Sequence, residues 1–312
     1  MRRVAALLVC AALWACVASA QTLLRVYFFD VGQGDAVLIQ SPSGANVLYD
    51  GGDSPSKIAA HLNALGVTRL DIVVASHNHA DHIGGLAEVI TRFRPRFYMD
   101  NGLPATTLTY RRVLEAVHRA GAELLEPTDR QIRIGDEAAL RVLPPSGVAG
   151  WDQNDNVVGL VLTFGEFRLS LGGDAERRQW TQWVEQYPEL LGHVQVHKAS
   201  HHGSSNGDTA AALYTLSPDV VIISAGRDNG YGHPSAGALR LYAERGSTTF
   251  RTDVNGTVLV EAATSGGYRI RVERGEGARP TRHDRPPGEG TGGSAPRAAA
   301  ERSAYPRAAK GP

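Results

Sequence analysis

The chain has 312 residues, with 32 basic side chains balanced by 32 acidic ones, 11 histidines and two cysteines. The formal net charge is zero, but the chain without its first twenty residues and its C-terminal tail carries −5. That weighs mildly against a general nucleic-acid binder, whose affinity would rest on neutralising many phosphates. Cys10 and Cys16 both lie in the first twenty residues, so the rest of the chain has neither a disulfide nor a thiolate ligand.

Arg2 and Arg3 precede an uncharged apolar run from Val4 to Val17, and Ala18-Ser19-Ala20 closes it with small residues. Residues 1–20 are therefore expected to be a signal peptide, with the mature chain starting near Gln21 and the protein periplasmic or secreted. The run is too short to span a bilayer and no later segment approaches that length, so no integral membrane segment is expected after leader removal. The competing reading is a lipoprotein cut before Cys16. Trp14 is bulky for such a box, and Ala18-Ser19-Ala20 fits simple cleavage better. From about Gly275, Gly, Pro, Ala, Arg and Glu dominate, and residues 275–312 read as a disordered tail. That leaves residues 21–274 as one domain. The leader holds two basic and no acidic residues and the tail seven and four, leaving 23 and 28 in the domain, a net of −5.

In chain order, Leu23–Phe29, Ala36–Gln40 and Asn46–Tyr49 read as strands broken by Gly-rich turns. Ser56–Leu65 is helical, with Ile58, Ala59, Leu62 and Leu65 on one face and Gly66 ending it. Asp71–Ser76 is a buried strand, and Gly84–Phe93 and Thr109–Ala120 are helices. Four strands follow: Gln131–Ile134, Ala139–Leu143, Val157–Phe164 and Phe167–Leu171. Ala175–Tyr187 returns to helix. Strands His193–Ala199 and Asp219–Ser224 then alternate with helices Thr209–Leu216 and Ser235–Arg245, before a hairpin through Thr257–Ala262 and Tyr268–Val272. The pattern fixes an α/β mixture, which two sheets with helices outside would accommodate.

The strongest chemical signal is Ser76-His77-Asn78-His79-Ala80-Asp81-His82-Ile83-Gly84-Gly85. His77 and His79 stand two apart at a strand end, so an extended backbone turns both imidazoles to one side. Asp81 and His82 follow in the turn and can diverge toward a second ion. Nitrogen and carboxylate donors without a thiolate suit zinc or manganese.

His-x-His-x-Asp-His resembles the signature of the metallo-β-lactamase superfamily. Asp30-Val31-Gly32-Gln33-Gly34-Asp35-Ala36, Asp50-Gly51-Gly52, Gly172-Gly173-Asp174-Ala175-Glu176 and His201-His202-Gly203-Ser204 narrow the likeness. Together they look like the soluble hydrolase domain of ComEC-type DNA-uptake proteins, with bacterial phosphorylcholine esterases as cousins, from about Leu24 to Val272. The resemblance implies an αββα sandwich of two mixed sheets with helices outside, and two divalent metal ions per chain. It implies that Asp174 bridges the metals and that His233 completes the second one. Relatives place a further histidine between the first motif and the bridging Asp. Here that interval holds only His118, on a helix surface, so Asp155 of Asn154-Asp155-Asn156 is expected in that position; the same residues would also form an Asx-turn.

By the same analogy one of His201 and His202 faces the site, to bind phosphate or protonate a leaving group, with His202 favoured. Ser204 and Asn156 are expected to help bind substrate. Asp30, Asp35 and Asp50 are expected to hold ligand imidazoles or turns from behind, while His61, His193 and His197 are structural. The implied reaction is hydrolysis of a phosphodiester, with DNA the first substrate to test and Asp81, Asp174 and His202 catalytic. Alternatives are hydrolysis of a phosphocholine-type ester, a lactam or a thioester, or a binding protein with structural metals. Arg92, Arg94 and Arg96 with Phe93 and Phe97 form the one concentrated basic-aromatic stretch, either a wall of a nucleic-acid groove or, more simply, a solvated helix end.

Overall fold

Strand β1 (Leu24–Phe28) buries Leu24, Val26 and Phe28 completely while Arg25 is exposed, the alternation of a strand with one face in a core. The computed structural model describes residues 23–53 and 55–275. The expected signal peptide, the Cys16 alternative and the tail beyond Gly275 lie outside the described residues. Among those residues no helix is long and apolar enough to cross a membrane.

Two mixed sheets form. The first has eight strands in the order β15-β14-β1-β2-β3-β4-β5-β6, using β2 (Val37–Gln40), β3 (Asn46–Tyr49), β4 (Ile72–Val74), β5 (Phe97–Met99), β6 (Glu123–Leu124), β14 (Val258–Ala262) and β15 (Tyr268–Val272). Hairpin neighbours pair antiparallel, and β3 through β6 run parallel. The second has seven, in the order β13-β12-β11-β10-β9-β8-β7. They are β7 (Gln131–Arg133), β8 (Ala138–Leu143), β9 (Gly159–Phe164), β10 (Phe167–Leu171), β11 (Val196–Lys198), β12 (Val220–Ile223) and β13 (Thr248–Arg251). Here β7 to β10 are antiparallel and β10 to β13 parallel.

One apolar cluster joins the facing sheets, with Val26, Val37, Val47 and Val74 from the first and Leu140, Leu160, Leu169 and Val196 from the second. On the outer face of the first sheet, Leu38, Leu48 and Val73 pack with residues of α1 (Pro55–Ala64), α3 (Leu86–Phe93) and α4 (Leu108–Ala120). The second sheet is covered by α5 (Arg177–Gln186), α6 (Ala210–Leu216) and α7 (Ala236–Glu244). The short helices α2 (Ala80–Ile83) and α8 (Thr252–Asn255) follow strands. Helix, sheet, sheet, helix is the expected αββα sandwich.

Three strands were not legible by alternation: β5, β6 and β13, of three, two and four residues. The stretch around Arg94 ends α3 and starts β5, beside Asp71 and Ile72 at the beginning of β4. Arg92 pairs with Glu88 one turn back at 2.8 Å, Phe93 is buried, and Arg96 lies over Phe97. It is a solvated helix end, at the opposite end of the sheet from the strand C-termini.

Behind the second sheet, Asp208 accepts hydrogen bonds from the Tyr242 hydroxyl (2.8 Å) and Ser200 N (3.1 Å), and its other oxygen meets His197 Nε2 at 3.0 Å. Burial opposes its ionisation, but His197 and the donated hydrogen bonds outweigh burial and hold the carboxyl below its ordinary range. A depressed carboxylate stabilises the fold above the unfolded value of about 3.9 and loses that contribution as pH falls toward the folded one. Replacing Asp208 by Asn is expected to cost about 1–3 kcal/mol near neutrality. In denaturant titrations across pH, the gap to the parent should shrink below about pH 4.

Candidate metal centre

The parallel strands β3 and β4 of one sheet and β10, β11 and β12 of the other deliver their C-terminal loops to one end of the sandwich, where open α/β sheets place their ligands. The loops after β3 and β4 and the turn between β1 and β2 are stitched together by backbone hydrogen bonds. Asp35 N donates to Asp81 O (3.2 Å), Gly52 N to Asp35 O (2.7 Å) and Gly51 N to His82 O (2.7 Å). Gly34 explains its own place in the sequence. It sits at φ +120°, and a Cβ there would lie 2.1 Å from the Asp81 carbonyl oxygen.

His77 Nε2 lies 3.0 Å from His79 Nδ1, and the His77 ring is 4.2 Å from that of His82. His82 Nε2 is 3.1 Å from Asp174 Oδ2 and 3.7 Å from Asp81 Oδ2. His202 Nε2 lies 3.1 Å from Asp81 Oδ2 and 3.4 Å from Asp174 Oδ2. One donor atom from each of Asp81, His82, Asp174 and His202 falls within 4.8 Å of all the others. His82 Nε2 and Asp174 Oδ1 are buried without a hydrogen-bond partner. Nitrogen and oxygen donors that converge and are left unsatisfied fit divalent metal ions. In a second cluster, Asp35, Asp50 and His82, Asp35 is ion-paired with Lys198 and Asp50 is bonded by Ser76 and His82, so it fits a cation poorly.

Those partners fix the imidazoles. Asp50 accepts from Ser76 N and Ser76 Oγ, both at 2.7 Å, and meets His82 Nδ1 at 2.9 Å. His202 Nδ1 faces the Ser224 carbonyl at 3.0 Å and Asp35 Oδ1 at 3.3 Å. Each arrangement puts the proton on Nδ1 and leaves Nε2 facing the centre. Charges compensate across the cluster. Burial opposes a charged His82 and a charged His202, yet Asp174 foremost, with Asp81 and Asp50 beside His82 and Asp35 beside His202, lifts both well above the usual range. Burial likewise opposes ionised Asp174 and Asp81. His202 and His82 hold Asp174 well below the carboxylate range, and His82, with a hydrogen bond from His202, does the same for Asp81. Burial, then the charge of His82, pushes His77 well down.

The sequence-derived residues separate here. His77, His79, Asp81, His82, Asp174 and His202 come together. His201 and His233 sit at the edge, their rings 5.5 Å apart. A cavity of about 320 Å³ is lined by His79, Asp81, Asp174, His201, His202 and His233, and also by Gln33, Asn154 and Tyr231. Four expectations are corrected. Asp155 turns to Arg178 (3.3 Å), and its neighbour Asn154 lines the cavity instead, with a buried Oδ1 lacking a partner. Asn156 spends its amide on the 146–152 loop, bonding Ser146 Oγ, Val148 O and Asp152 O. Ser204 bonds Asn206. Asp30 pairs with Arg274 at 2.9 Å, tying the first sheet's edge strand to the end of β1.

Lys198 was missed. It is fully buried, forms a tight ion pair with Asp35 and donates to the Gly173 carbonyl at 3.2 Å. It thereby joins the Asp35 loop to the turn that carries Asp174. A lysine at the end of the strand expected over His193–Ala199, directly before the His201-His202 motif, was the available signal. Burial would discharge Lys198, but Asp35 lifts it above its usual value. Lys198→Met should therefore cost about 3–5 kcal/mol, because it strands a buried carboxylate. Adding Asp35→Leu should restore part of that loss, which a double-mutant cycle by denaturant unfolding measures.

The chain is 27% identical to "ComE operon protein 3" of Bacillus subtilis (strain 168) over 255 residues, 75% of this chain and 32% of that protein. It is 27% identical to "Competence protein ComA" of Neisseria gonorrhoeae over 259 residues, 79% of this chain and 34% of that one. The chain thus spans about a third of the length of the curated relatives it matches. Among solved structures, the metallo-beta-lactamase fold protein YhfI from Bacillus subtilis superposes with a TM-score of 0.52 at 10% identity, over 77% of this chain and 100% of that one, a likeness of fold. Residues 29–228 match the metallo-beta-lactamase superfamily, and the chain belongs to that superfamily.

Proposed function

We propose that this protein is an exported, two-metal phosphodiesterase that acts on DNA. The observation that carries the reading is the convergence of Asp81, His82, Asp174 and His202 within 4.8 Å, next to His77 and His79 and open to a cavity. In this reading His77 and His79 hold one ion, and Asp81, His82 and His202 hold the other. Asp174, which lies against both imidazoles of the second set, would be held in common with the first, as the resemblance implies. Zinc or manganese suits these donors. Bound dications supply Lewis-acid chemistry, lowering the pKa of water and neutralising charge on phosphoryl oxygens.

The other residues orient and bind. Asp50, and Ser224 with Asp35, hold the two Nε2 atoms in place. His201 and His233 line the cavity. His233, which the resemblance places on the second metal, keeps a buried Nδ1 without a partner and stays the candidate to complete that ion. His201 is placed to contact phosphate and move a proton to the leaving oxygen. His202 thus moves from the acid role to a ligand role. DNA is the first substrate because of the likeness to ComEC-type DNA-uptake proteins, and a periplasmic or secreted location follows from the N-terminal twenty residues. The domain's net charge of −5 over residues 21–274 favours one second reading, a small phosphoester such as a phosphocholine ester.

Full-length protein incubated with single- and double-stranded DNA in Mn²⁺ or Zn²⁺ is expected to cleave it. Asp81→Ala should lose more than the roughly 10–100-fold that removal of an outer-shell partner costs. If the parent is inert while carrying about two ions per chain, DNA is the wrong substrate, and small phosphoesters become the leading one.

A further inference from the structure

Tyr231 lines the cavity yet is exposed, at 74% of its full accessibility. Scattered exposed aromatics are ordinary, but this one is neither scattered nor loose. One face of its ring stacks on His233, with centroids 5.8 Å apart and planes 22° from parallel. The other side is open to solvent at the cavity mouth. Its loop is pinned by a single side chain. Asn229 Oδ1 accepts from Tyr231 N (3.2 Å) and His233 N (3.0 Å), while Nδ2 donates to Gly226 O (2.9 Å) and His233 O (2.6 Å). Gly226 N in turn donates to Gln33 Oε1 at 3.2 Å, fastening the loop to another cavity wall. The ring buries no core surface, so pinning its loop serves no packing purpose.

We propose that Tyr231 is a stacking platform for the nucleobase next to the scissile phosphate, a proposal that rests on the phosphodiesterase reading. A flat aromatic on a pinned loop beside a phosphate site accepts any base through its π-face and needs no sequence-specific hydrogen bonds. A quaternary ammonium would call for a cage of several aromatic faces. Tyr231 offers one, backed by an imidazole, which favours a planar ring over choline.

The test compares the full chain and two variants, Tyr231→Ala and Tyr231→Trp, in Mn²⁺. The substrates are a single-stranded oligonucleotide and the same oligonucleotide with abasic residues flanking the cleaved bond. The parent is expected to show a KM about 10-fold lower for the base-bearing strand. Tyr231→Ala should bring that ratio close to one, and Tyr231→Trp should keep it. A parent ratio near one, or an unchanged ratio in Tyr231→Ala, overturns the platform while leaving the phosphodiesterase reading intact. If the parent cleaves neither strand, the reading on DNA fails. Quenching of a 2-aminopurine oligonucleotide in Ca²⁺ then decides the platform. Quenching seen in the parent and Tyr231→Trp but lost in Tyr231→Ala supports it, and no quenching by the parent, or quenching displaced by phosphocholine, overturns it.

Discussion

The carboxylate of Asp174 is almost wholly buried between the imidazoles of His82 (3.1 Å) and His202 (3.4 Å), and the rest of the site is arranged around that contact. A lone buried carboxylate is strongly disfavoured, so the group persists only with compensating partners. The partners come from both halves of the sandwich. His82 follows β4 of the first sheet, and His202 follows β11 of the second. The centre therefore exists only when the sheets are packed face to face, which ties its geometry to the apolar cluster between them.

Holding this arrangement has a visible conformational cost. His201 and His202 both adopt left-handed backbone conformations, at φ 50° and 55°, each about 1–2 kcal/mol less favourable than the right-handed alternative for a side chain with a Cβ. The cost is offset locally. His201 N donates to Gly173 O (3.1 Å), Ser200 N to Asp208, and the Trp180 indole to Ser200 Oγ (3.1 Å). Strain of this kind collects where a chain must aim side chains rather than merely pack them. Here it sends His202 to Asp81 and Asp174 and His201 to the cavity edge. On the opposite side of β11, His197 faces Trp180 and Asp208 and has a structural task.

How much was legible depended on how local each signal was. His77, His79, Asp81 and His82 could be read because six contiguous residues carry them after a buried strand. The long strands and amphipathic helices showed themselves by period. The strands β5, β6 and β13 did not, because two to four residues hold too little alternation and their pairing is set by neighbours. The Asn154-Asp155-Asn156 segment failed for a similar reason. It forms a 3₁₀ turn, in which adjacent side chains diverge by about 120°. The residue facing the cavity is Asn154, while Asp155 meets an arginine supplied by α5. Ser204 and Asn156 were misread because short polar side chains bond their own loops as readily as a ligand. Lys198 carries no motif, and its partner Asp35 lies 163 positions earlier, a pairing visible only once the chain is folded.

The most direct test of the account is to locate the ions. Crystals of the full chain grown with Mn²⁺ or Zn²⁺ should show two anomalous peaks, one against His77 and His79 and the other against Asp81, His82 and His202, with Asp174 touching both. A single peak, no peak at Asp174, or an ion lodged between Asp35 and Asp50 would contradict the two-metal centre from which the proposed chemistry is built.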